Sequence, residues 1–169
     1  MVITYFFSIL TPFTFTSAIS FNFTNFSSSD PNITYERAFA ENQVIQLTGN
    51  RLNLEFVGRA TYFKPMKLWD KDSGKFTNFT THFSFAIDSQ KRTVYGDGIA
   101  FFLAPVGSKI ALLTKGGSTM GLSHDDQALD AVDNPIVAVE FDIYSNDYLD
   151  PPGEHVGIDL NSLKSVANI

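Results

Sequence analysis

Glu140, Asp142, Asn146, Asp150 and His155 fall within sixteen consecutive residues and together offer donors for a divalent cation. Side chains at i and i+2 of an extended strand share a face, so Glu140 and Asp142 project side by side. They rise from an apolar run, with Ile136, Val137, Ala138 and Val139 before them and Phe141 between. Two carboxylates held that close repel each other unless a cation or a shared proton intervenes. The chain then supplies an amide oxygen, another carboxylate and an imidazole before a second strand begins at Val156. Oxygen donors suit calcium, and a mixed carboxylate and imidazole set suits manganese or another transition ion. A plain acidic loop is the competing reading, because Asp150-Pro151 is an ordinary turn signal and a lone His after a turn is commonly a surface residue.

Such donors need a rigid platform, and the rest of the chain reads as strands. Apolar and polar residues alternate over 20–24, 44–48, 52–57, 79–87, 98–103, 136–142 and 155–160, with Gly, Asn, Asp and Ser between. This predicts an all-β sandwich or jelly roll, and no ten-residue amphipathic helix competes with it. A length of 169 residues at 44% hydrophobic content suffices for one domain with a sizeable core. With no cysteine, that core must hold without disulfides. A formal charge of −6 argues against nucleic acid or an anionic membrane as partner, and fits a carboxylate-rich site that gains cations.

Residues 1–18 carry no charged side chain and end in Thr16-Ser17-Ala18, as a secretory signal peptide would before cleavage. No other run is long and apolar enough to cross a bilayer. Asn22, Asn25, Asn32 and Asn78 each head an N-glycosylation tripeptide, which also points outside the cytosol. The expected organisation is a signal over 1–18 and one partial domain over 19–169. The expected location is extracellular or secreted, or the plasma-membrane surface in a longer form.

The order and spacing of Val139-Glu140-Phe141-Asp142, Tyr144, Asn146, Asp150-Pro151 and His155-Val156-Gly157-Ile158-Asp159 resembles the metal-binding block of the legume lectins. Ser20-Phe21-Asn22-Phe23 is similar to that family's opening strand, and 79–87 to its Ser/Thr-Phe-Ser-Phe strand. The run from Asp97-Gly98 through Phe101-Phe102 to Ala104-Pro105 resembles another of its signatures. Similar domains form the outer parts of plant lectin receptor kinases. The resemblance implies a concanavalin-like jelly-roll β-sandwich of antiparallel strands, C-terminally incomplete because the chain ends at Ile169.

It also implies roles. Glu140 and His155 would take manganese, Asp142 and Asp150 would bridge both ions, and Asn146 with the Tyr144 carbonyl would complete calcium. Asp150 is preferred over its neighbour Asp147 for its proline and its five-residue distance to His155. Ser165 would hold a metal-bound water. Asp97 would accept sugar hydroxyls, after a peptide bond the family holds in cis and with Gly96 where Ala is more usual. Bound calcium would restrain that bond through a water. Tyr144 would stack on the sugar ring, Asn146 would serve both cation and sugar, and Ser118 would donate its N–H where the family has a glycine. The function implied is reversible, non-catalytic carbohydrate binding, with glycans or glycoconjugates as partners and a homodimer through sheet edges.

Two rivals share these residues. A glycoside hydrolase on the same architecture would carry acids at i, i+2 and i+4 of one strand, but Tyr144 stands at the third position. A receptor module with a decayed sugar site is the other; intact Asp97 and Asn146 argue against it, and Ser118 argues for it.

Overall fold

A side chain pattern that alternates can bury one face of a strand, and the segments of this kind nearest the acidic residues do form strands. The computed structural model describes residues 19–48, 56–110, 117, 119–123, 135–146 and 149–169. Among them lie β1 (Ile33–Glu36), β2 (Phe39–Glu41), β3 (Val44–Gln46), β4 (Arg59–Tyr62), β5 (Gly98–Leu103), β6 (Val137–Asp142), β7 (His155–Leu160) and β8 (Ala167–Asn168), and no helix. Strands β1 and β4 pair antiparallel. Strands β2 and β3 form a hairpin in which Glu41 faces Val44, leaving Asn42 and Gln43 as a two-residue turn. Both turn residues have positive φ, 49° and 66°, the sign that matches the right-handed twist of the flanking strands.

The four-stranded sheet, in the order β5-β6-β7-β8 and antiparallel throughout, positions the acidic residues. Ala138, Glu140 and Asp142 face the buried side of β6, while Val137, Val139 and Phe141 face the other. On β7 the buried positions are His155, Gly157 and Asp159. The register sets Asp142 opposite His155, Glu140 opposite Gly157 and Ala138 opposite Asp159. Directly opposed residues share a face, so one side of the sheet gathers every one of these groups.

That same side is apolar at its far end. Leu122, Ile136, Ala138, Leu149 and Leu163 form a buried cluster, with Ala100, Phe102, Ala104 and Met120 packed against it. On the opposite side Phe83 and Phe85 cover part of the sheet. The Phe83 ring lies 5.7 Å from Phe101, and the Phe85 ring 4.9 Å from Phe141.

The expected strands at 98–103 and 155–160 form in full, 136–142 forms from Val137, and 44–48 is trimmed to Val44–Gln46. Segments 20–24 and 79–87 form no strand. Alternation predicts which side chains turn inward, whereas a strand also needs a neighbouring backbone to pair with. These two segments are placed by ring packing instead, Phe21 lying 4.1 Å from Tyr62 and Phe83 stacking on Phe101. Of 52–57, residues 52–55 lie outside the described residues, as do Ser118, Asp147 and the expected signal at 1–18.

Leu163 is 4% exposed in the core cluster, so Leu163→Ala should lower unfolding stability by about 2–5 kcal/mol. Val106 is 81% exposed, and Val106→Ala should change it by less than about 0.5 kcal/mol. Urea unfolding of the two variants checks the pair; similar losses would place the core elsewhere.

Candidate functional site

Glu140, Asp142 and His155 each bring one donor atom to within 4.8 Å of the others. All three are buried, at 4%, 3% and 7% exposure. The two carboxylates come from adjacent inward positions of β6, and the imidazole comes from the first residue of β7, across the ladder from Asp142. His155 Nδ1 lies 3.3 Å from the Gly153 carbonyl. A proton on Nδ1 donating to that oxygen leaves the Nε2 lone pair facing the carboxylates, the tautomer that suits a metal ligand. Nε2 stands 3.4 Å from Glu140 Oε1 yet makes no hydrogen bond among the described residues. A buried, unpaired ring nitrogen beside two carboxylates fits a divalent cation.

Asp159, fully buried on the same side of β7, was named by sequence only as part of a motif. The Ser165 hydroxyl contacts Glu140 Oε1 and lies 3.1 Å from Asp159 Oδ1, while Asp159 Oδ2 has no partner among the described residues. The spacing His155, Gly157, Asp159 carries the signal for this grouping, since period two puts all three on one face. Gly157 is the gap in that row. A Cβ there would overlap the Glu140 carboxylate and the Ser165 hydroxyl, so a glycine is what lets the two meet.

Such crowding shifts the carboxyl groups. Burial pushes Asp142 up to about 6. The Tyr144 N–H, donating to Asp142 Oδ1 at 2.6 Å, and His155 hold it down, while the charges of Asp150 and Glu140 push it further up. Asp159 is raised by burial and then by the Glu140 charge beside it.

The other expected residues form a rim next to this cluster. Asp150 Oδ2 accepts the Asn146 N–H at 2.6 Å, and the Leu149 and Asp150 N–H groups return to the Asn146 carbonyl at 2.9 and 3.0 Å. Asp150 is thus tied to Asn146 and stands outside the three-residue cluster. Tyr144, 48% exposed, and Asn146 follow β6 directly, with Asn146 Nδ2 3.5 Å from the Tyr144 carbonyl. Asp97 immediately precedes β5, and its carbonyl accepts the Ile143 N–H at 2.8 Å, extending the ladder one step past Gly98 and Asp142. The Gly96-Asp97 peptide bond is cis. The Asp97 carboxylate rests against Gly117, where any Cβ would overlap it, a neighbour that sequence reading passed over in favour of Ser118.

Residues 18–169 match the family described as the legume lectin domain. The chain is 41% identical over 155 residues to a galactose-binding lectin of Arachis hypogaea, covering 89% of this chain and 54% of that protein. It is similar in structure to lectin UEA-II complexed with galactose, with a TM-score of 0.71 at 31% identity, covering 89% of this chain and 65% of that one. Lectin I-B4 of Griffonia simplicifolia in metal-free form gives a TM-score of 0.74 at 28% identity, covering 90% and 66%. The chain spans about half the length of the curated relatives it matches.

The raised Asp142 and Asp159 carboxyls predict opposite pH trends with and without metal. In metal-free protein each favours folding by keeping its proton, a contribution complete below the ordinary carboxylate value of 3.8 and lost as pH rises through about 6 for Asp142 and about 7 for Asp159. Metal binding needs ligands free of protons and strengthens over the same interval. Melting temperature under chelator should therefore fall between about pH 4 and pH 7, and with calcium and manganese it should rise over the same interval. Parallel trends in the two series would refute this account.

Proposed function

The chain belongs to the legume lectin domain family, and from that premise we propose that it binds carbohydrate reversibly at the rim formed by Asp97, Gly117, Tyr144 and Asn146. Its fold is the concanavalin-like jelly-roll β-sandwich of that family. The observation that carries the reading is the ladder step from Asp97 to Ile143, which locks the rim carboxylate to the strand bearing Glu140 and Asp142. Loop order at the rim is thereby coupled to the charge balance of the cluster.

Divalent cations, when bound, supply the positive charge that offsets the buried carboxylates. Glu140 and His155 would hold manganese, and Asp142 and Asp150 would serve both ions. Asn146 and the Tyr144 carbonyl would face calcium. Asp97 then accepts hydrogen bonds from sugar hydroxyls, the Tyr144 ring lies against the apolar CH face of the sugar, and the Asn146 amide adds a directional contact. Ser118 would add its backbone N–H. The galactose named for two relatives makes a galactoside the first probe.

The arrangement favours binding over hydrolysis. A third acid on β6 would have to stand at position 144, which carries a tyrosine and lies beyond the end of the strand at Asp142. An extracellular setting agrees with the exposed Asn22, Asn25 and Asn78, each open to a glycan. Asn32 is half-buried, and its side chain donates to Asp30 Oδ1 at 2.8 Å. No helix of the described residues is long and apolar enough to cross a membrane. A homodimer through sheet edges belongs to the same proposal.

Two measurements test it. Retention on galactose-agarose should disappear under chelation and return with calcium and manganese; retention that survives complete chelation contradicts the metal-coupled rim. Asp97→Ala should abolish retention while keeping the metal-induced rise in melting temperature, because its carboxylate lies outside the cation cluster.

A further inference from the structure

Val57 and Arg59 are buried and Gly58 between them is half-buried, the alternation of an extended segment with one face turned inward. Neighbours on both faces hold this segment. A Cβ on Gly58 would overlap the Leu47 carbonyl, so that glycine lies directly on the backbone beside it. On the inward face Arg59 Nη1 lies 3.2 Å from the Ser108 hydroxyl, and its guanidinium sits 4.3 Å from the centre of the Phe102 ring. Val57, two residues away on the same face, meets Gly121. A Cβ on Gly121 would overlap Val57 Cγ1, whereas the next nearest atoms, Ile110 Cγ1 and Val57 Cβ, would stand at 3.8 and 3.9 Å. One methyl group therefore sets how close residue 121 can come. Val57 is branched at Cβ and buried, so that methyl has little freedom to yield.

Gly121 ends a turn that reaches back to the rim. Met120 and Gly121 have positive φ, 47° and 70°, and the Met120 N–H donates to the Gly117 carbonyl at 2.6 Å. Gly117 in turn lies against the Asp97 carboxylate, which a Cβ there would overlap. Two close contacts joined by one hydrogen bond thus lead from Val57 to Asp97. We infer that Val57 is a positioning residue for the sugar rim: its side chain is the seat on which this turn rests, and it thereby sets how closely Gly117 meets the Asp97 carboxylate. Lifting the turn from its seat carries Gly117 away, and the carboxylate loses the backbone that fixes its aim at a sugar hydroxyl. The inference rests on the carbohydrate-binding reading above and names a residue beneath the rim rather than on it.

Calorimetric titration of the full chain, loaded with calcium and manganese, against methyl β-galactoside tests it. The parent should bind. Gly121→Ala drives its new methyl into Val57 and lifts the turn. Binding should then weaken by at least about tenfold, the loss of one hydrogen bond to a charged group, while the metal-dependent rise in melting temperature persists. Adding Val57→Ala removes the obstructing methyl and leaves ordinary contacts at 3.8 and 3.9 Å, so binding should return to within about threefold of the parent. Both variants carry alanine at a φ of 70°, so backbone strain lowers the melting temperature of both and cannot explain a difference in binding between them. Parent-like binding by Gly121→Ala overturns the inference, and so does a double variant that binds no better than the single one. Should Gly121→Ala fail to fold, the double variant should recover a cooperative melt and bind; an unfolded double variant also overturns it. A parent that binds no glycoside sinks the functional reading itself, a result read before any substitution is made.

Discussion

The structure turns on one electrostatic difficulty, the burial of Glu140, Asp142 and Asp159 on a single face of the four-stranded sheet, beside the imidazole of His155 and the hydroxyl of Ser165. Like charges in a poorly solvated site favour protonation or a counter-ion. The fold makes the concentration unavoidable, because β6 and β7 are paired in the one register that puts their polar inward positions opposite each other. Moving the pairing by a single residue would turn one strand's groups to the opposite face and split the set. Register and charge therefore specify each other. The apolar end of the strand, through Ile136 and Ala138, anchors the register, and the acidic end exploits it.

Backbone bareness does the complementary work. Gly157 admits the Glu140 carboxylate to Ser165, and Gly117 admits the Asp97 carboxylate to the rim. In both places a charged oxygen lies where a side chain would otherwise begin. The two carboxylates so accommodated belong to different strands, β6 and the lead into β5, and the ladder between those strands joins the buried cluster to the exposed rim. The two groups are thus joined by the hydrogen bonds of a single sheet.

Much of this was legible in the residues. The alternation through 136–142 and 155–160 gave both strands and the shared face of Glu140 and Asp142, because period two is a direct consequence of strand geometry. His155 was legible for the same reason. Asp159 was written in the same alternation, yet its grouping with Glu140 depends on Ser165 arriving from a later turn. Gly117 was out of reach, since contact between 97 and 117 is a matter of loop path rather than local pattern. The segments at 20–24 and 79–87 show the converse limit. Their phenylalanines turn toward apolar neighbours as alternation requires, but pairing depends on what lies alongside, which no short window contains.

The glycines at 117 and 157 also shape how a gene of this kind can wander. Every missense change at a glycine codon adds at least a Cβ, and at these two positions that atom would displace the carboxylate seated there. A change at either site therefore moves a carboxylate as well as adding bulk. Val94 and Val106, exposed at 79% and 81% in the loops on either side of β5, carry no such restriction. Substitution on the exposed loops thus alters surface alone, whereas substitution at the two glycines also re-aims a carboxylate.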